Sequence, residues 1–180
     1  MRRFTLTIVL SLMAMLMYAQ EVTDAEIAAI RAAYRNAKEQ VELNSHAQEQ
    51  DVPRNDTEVV SHYVILGCGP TEEVVRYYFT LDEDPETGVC FYTPYFITRS
   101  YNVAARKFYQ EFLFNGDAEL LFFFQSNDAL DVGTDQTRYY YGQHGTRQAV
   151  TGTVPMDETF AARLADDLKS AFNLLLNRDF

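Results

Sequence analysis

The chain has no tryptophan, and its 180 residues include only two cysteines, five prolines, eight glycines and three histidines. With His46, His62 and His144 scattered and Cys68 and Cys90 alone, there is no His-x-x-His, Cys-x-x-Cys or His-Glu-x-x-His spacing. A zinc centre therefore has no ligand set. Gly67-Cys68-Gly69 is the one glycine pair, and it lacks the lysine, the later glycine and the following helix of a phosphate cradle. Asp82, Asp84 and Glu86 alternate in one loop, and more acids lie between Asn127 and Asp135. Neither stretch has the twelve-residue frame of a calcium loop, so both read as solvated acidic turns, and no metal or cofactor is expected. Positive charge is also scarce: 15 Lys and Arg stand against 26 Asp and Glu, a net charge of −11. Such a surface repels nucleic acid and anionic lipid, which removes both as expected partners.

Long apolar runs are missing everywhere but at the start. Arg2 and Arg3 precede the run Phe4–Met17, and Tyr18-Ala19-Gln20 leads into polar sequence. That is the layout of a signal peptide over residues 1–19, too short for a comfortable membrane span, although an uncleaved anchor is the alternative. Met17 is a bulky residue for the −3 position, and no Cys follows for lipid attachment. The expectation is a periplasmic or secreted protein cleaved near Ala19, with no membrane span in the mature chain. About 160 residues would remain, enough for one domain with its own core. Within it, residues 20–57 supply an N-terminal helix and linker, and 58–180 an antiparallel sheet and C-terminal helix.

Thr23-Asp24-Ala25-Glu26 has the spacing of a capping box. Ile27, Ile30, Tyr34, Ala37 and Val41 follow at helical spacing, which predicts a helix from about Asp24 to Leu43. Asn44 to Thr57 is polar and aperiodic. From Glu58 onward, β-branched and aromatic residues predict strands near 59–66, 72–81, 89–99, 105–114, 118–126, 136–142 and 146–151. Short turns between them imply an antiparallel meander of six to seven strands. Pro94 inside the third strand calls for an edge, a bulge or a break, because it has no N–H to donate. Phe160, Leu164, Leu168, Phe172 and Leu175 then predict a second helix, with Asp157 and Glu158 at its positive end. The class is α+β, with the C-terminal helix packed on one sheet face.

The central hairpin, Ala104 to Ser126, sets the register. Phe108, Phe112 and Phe114 on one arm and Leu120, Phe122 and Phe124 on the other share even parity. Opposed residues share a face, so even should pair with even through an odd-length loop, with Gly116 or Asp117 at positive φ. The even face is expected under the helices. The odd face, with Tyr109, Glu111, Leu121 and Phe123, is mixed. Two helices about 10 Å wide cannot cover six strands spanning roughly 29 Å, so part of that face should be covered by sheet curvature, a loop or a second molecule.

Two cysteines in an exported chain suggest a disulfide, but the second strand lies between them and would hold them roughly 30 Å apart. Unpaired buried thiols, pairing between chains and a broken strand remain as alternatives, the first being preferred. For catalysis, His62 and Cys68 share a strand end, yet an ordinary strand histidine and a small buried thiol are the preferred account of them. Paired carboxylates are too numerous in an acidic chain to single out. What remains is aromatic surface: Tyr139 and Tyr141 share a strand face in Thr137–Gly142, and Tyr109, Leu121 and Phe123 share the odd hairpin face. Tyrosine suits surfaces that are dry at one end and wet at the other. These five residues are the candidate binding set, with plain sheet packing as the competing account. Two functions follow. One is an exported, non-enzymatic binding or interaction protein using an aromatic sheet face, toward a protein or small ligand or as a homodimer. The other is an envelope hydrolase whose site is assembled from scattered Asp, Glu, Tyr and His. Carbohydrate stacking is weakened by the lack of tryptophan.

Arg99 to Phe114 (RSYNVAARKFYQEFLF) and Thr137 to Gly145 (TRYYYGQHG) resemble segments of uncharacterised small exported proteins of Bacteroidetes-type bacteria. The resemblance implies a periplasmic or secreted setting and a similar fold. It implies no role for any residue.

Overall fold

The computed structural model describes residues 22–47, 54–129, 133–143, 145–151 and 157–177. The expected signal segment lies outside them. Helix α1 (Asp24–Ser45) is followed by strands β1 (Asp56–Ile65), β2 (Gly69–Glu83), β3 (Cys90–Val103), β4 (Arg106–Phe114), β5 (Leu120–Ala129), β6 (Gly133–Gly142) and β7 (Gly145–Thr151), and then by helix α2 (Glu158–Leu176). The strands form one sheet in chain order, with every neighbouring pair antiparallel. The α+β meander is thus the fold. Among the described residues no helix is long and apolar enough to cross a membrane.

The capping box forms as its spacing implies. The Thr23 hydroxyl accepts from the Glu26 N–H at 3.2 Å, and the Glu26 carboxylate accepts from the Thr23 N–H at 2.8 Å. Two helix-end donors are satisfied, and α1 starts at a defined angle. Its stripe of Ile27, Ile30, Tyr34, Ala37 and Val41 packs on Tyr78, Phe96, Leu113, Phe122 and Tyr140. The C-terminal helix starts at Asp157, whose carboxylate accepts from the Phe160 N–H at 3.0 Å. Its buried residues are Ala161, Ala165, Leu168 and Phe172, which rest on Val75, Tyr77, Phe79, Ile97, Phe112, Phe123 and Tyr139. The expected stripe is thereby turned by one position at both ends: Phe160 and Leu175 are 46% and 43% exposed. Small alanines let the helix sit close to the aromatic sheet, where a phenylalanine would hold it off.

Strand neighbours such as Tyr77 and Tyr78, or Phe122 and Phe123, belong to different clusters, so the two helices lie on opposite faces of the sheet. This corrects the expectation that one face carries both. Both faces of the central strands are apolar because each has a helix to bury against.

The hairpin corrects a second expectation. Phe112 opposes Phe123 and Leu113 opposes Phe122, odd against even, while Phe114 opposes Leu120. Leu121 is the extra residue, a bulge that changes the parity of everything beyond it. The residue at positive φ is Ala118 (φ 57°), not Gly116 or Asp117. The Asn115 side-chain oxygen accepts from the N–H groups of Asp117 and Glu119, at 3.0 and 2.8 Å, and so shapes the loop that Asn-Gly alone would have made shorter. Of the edge, bulge or break that Pro94 called for, the structure has a bulge: Tyr78 opposes Phe96 and Phe79 opposes Pro94, leaving Tyr95 unmatched. The missing proline N–H falls at the irregularity.

Candidate binding face

On the α1 side, Glu111 of β4 is 2% exposed. Its Oε2 accepts from the Tyr34 hydroxyl at 2.6 Å, and its Oε1 accepts from Lys38 Nζ at 2.8 Å and the Tyr109 hydroxyl at 2.9 Å. A buried carboxylate is tolerated only when it is paired and hydrogen-bonded, and here both oxygens are engaged. Burial, then the bond to Glu111, pushes the Tyr34 phenol well above its ordinary range. Burial and the Glu111 charge do the same to Tyr109.

The opposite face carries a second polar network beyond the reach of α2. Arg99 donates from Nε and Nη2 to the Glu73 carboxylate, 2.9 Å each, and from Nη1 to Gln110 Oε1 at 3.0 Å. Gln110 Nε2 donates to Gln125 Oε1 at 2.7 Å, and the Tyr63 hydroxyl donates to Glu73 at 2.7 Å. The Arg99 guanidinium holds the Glu73 carboxyl below its usual range. It also lies 4.2 Å from the Tyr101 ring centroid, and Tyr101 stacks on Phe108 at 4.9 Å. The network is internally paired and reads as the polar part of the fold.

Three hollows border α1. One of about 580 Å³ runs between the end of the helix and strands β1–β4, lined by Lys38, Val60, Val74, Arg76, Tyr78 and Tyr109 among others. Arg76 pairs there with Glu58. A second, of about 830 Å³, lies between the start of α1 and the β4–β5 turn and includes Leu121 and Tyr141. The third, of about 230 Å³, is lined by Ile30, Arg31, Tyr34, Phe122, Phe124, Arg138 and Tyr140. Its rings are in contact: Phe122 is 5.1 Å from both Tyr34 and Tyr140, centroid to centroid. Arg138 stacks over Phe124 at 4.8 Å, and Arg31 over Tyr140 at 5.5 Å.

The five residues expected to form one patch are divided. Tyr109 lines the 580 Å³ groove, and Leu121 and Tyr141 the 830 Å³ cleft. Phe123 and Tyr139 are 0% and 3% exposed in the core beneath α2. The bulge at Leu121 is what separates Phe123 from Tyr109. Sequence reasoning missed Arg31, Arg138, Tyr34 and Tyr140; Arg31 and Tyr34 do share one flank of the first helix, three residues apart, which was the available signal.

His62 faces Glu72 across β1–β2, 3.7 Å away, with both side chains largely in solvent. Among the described residues no group of three or more His, Cys, Asp or Glu is arranged to hold a metal ion. Both cysteines are unpaired, at opposite ends of β2, but Cys90 is exposed and Cys68 only partly covered, against the expectation of buried thiols. Compared with protein-family models, with curated proteins and with solved structures, the chain matches none.

Proposed function

We propose that the chain is an exported, non-enzymatic binding protein whose ligand face is the α1 side of the sheet. The observation that carries this reading is the pair of tyrosine-lined hollows, of about 230 and 580 Å³, that border one helix on one face. Tyrosine offers a large contact area with a polar tip and few rotatable bonds, which favours recognition over chemistry. The buried carboxylate in the middle of this face has three donors on its two oxygens, an arrangement that fixes the positions of Tyr34 and Tyr109. Export rests on the layout of residues 1–19 and on the resemblance to small exported bacterial proteins.

The test is an NMR fragment screen on the chain lacking residues 1–19, run beside turnover assays on ester, peptide and glycoside substrates. Shifts confined to signals of Tyr34, Tyr109 and Tyr140, without turnover, support the reading. Turnover that disappears in Glu111→Gln would replace it with the hydrolase alternative.

A further inference from the structure

Arg31 and Arg138 are two guanidinium groups that the fold brings to one hollow. Lys38, Arg54, Arg76, Arg99, Arg147 and Lys169 each have a carboxylate partner. Arg31 and Arg138 have none among the described residues, and they line the same 230 Å³ hollow. Their polar contacts are neutral: Arg31 Nε donates to the Tyr140 hydroxyl at 3.4 Å, and Arg138 Nη2 donates to Gln136 Oε1 at 2.7 Å. Each guanidinium lies against an aromatic face, which orients the fork and leaves most of its five N–H donors unused.

From this geometry we infer that the hollow binds a small organic carboxylate with an apolar, single-ring body. The inference rests on the binding-protein reading and names its ligand class. A guanidinium fork matches a carboxylate in two parallel hydrogen bonds, and its weak hydration lowers the desolvation cost of that pairing. The walls suit the remainder of such a molecule: Ile30, Phe122 and Phe124 are apolar, and Tyr34 and Tyr140 present ring surface. The volume lies below the range of roughly 300–1,000 Å³ usual for drug-sized ligands, which points to one ring rather than several. Glu111 is a fixed anion beside the hollow, opposite Phe124 in the register and bonded to Tyr34 of its wall. Its charge is balanced by Lys38 and its oxygens are covered by two phenols, so its repulsion of a second anion is weakened.

The experiment is a calorimetric and NMR titration of the chain without residues 1–19, at low salt, with phenylacetate, phenylacetamide and inorganic phosphate. Phenylacetate is expected to bind at least tenfold more tightly than the amide and than phosphate. That advantage should vanish in Arg138→Gln and shrink in Arg31→Gln, with circular dichroism unchanged. Equal binding of acid and amide, phosphate binding as tightly as phenylacetate, or an advantage that survives both substitutions would overturn the assignment. If phenylacetate fails while other fragments still shift α1-face signals, only this ligand class falls. If nothing shifts that face, the binding-protein reading falls with it.

Discussion

Glu111 shows how one buried charge organises its surroundings. Its partners come from α1 and from its own strand, so the carboxylate ties helix to sheet through Tyr34 and Lys38. Glu111→Leu would leave Lys38 and two phenols without their acceptor, at a cost of about 1–3 kcal/mol for each phenol left unsatisfied, readable by urea unfolding. The phenols carry a pH signature. Tyr34, Tyr109 and Tyr141 are pushed well up, first by burial, and Tyr95 to about 12 by burial. The folded chain keeps these protons where the unfolded chain, with phenols near pH 10, releases them. Stability should therefore be fully present below about pH 10 and fall as pH rises beyond it. Tyrosinate absorbance and circular dichroism measured together check this: these phenols should ionise with unfolding, not before it.

At the scale of the element, the sequence was legible wherever a local rule had no competitor. The Thr23–Glu26 box, the α1 stripe and the bulge at Pro94 each follow from one residue type in one spacing. The face of α2 was not, because Phe160 and Leu164 beside Ala161 and Ala165 make two overlapping stripes, and only the closeness of the aromatic sheet selects the smaller residues. Phe172→Ala should cost about 3–5 kcal/mol, whereas Phe160→Ser should change the thermal midpoint little, since that ring is 46% exposed. The hairpin register was hidden for a different reason. An extra residue at Leu121 reverses parity without altering composition, and Ala118 occupies a left-handed position that glycine would take more readily. Ala118→Gly should accordingly raise stability by about 1 kcal/mol in urea unfolding, with the same fold.

For the molecule as a whole, strand order was readable from the short turns, while the placement of the helices on two faces was not, since an apolar residue does not announce which side will be covered. The same blindness divided the candidate site, placing Phe123 and Tyr139 in the core and Tyr109 at a groove. The length of β2 separates the cysteines by its full 15 residues, several times the 7 Å limit for a bridge. Thiol titration of the native chain should count two free groups, with exposed Cys90 reacting first. The parity change at Leu121 also has an energetic consequence. Phe112 and Phe123 touch, ring centroids 5.2 Å apart, so truncating both should give a loss unequal to the sum of the single losses. Phe122 and Phe123 are adjacent in the chain yet belong to separate cores. Their truncations should add as though the residues were far apart, because the backbone between them insulates one cavity from the other.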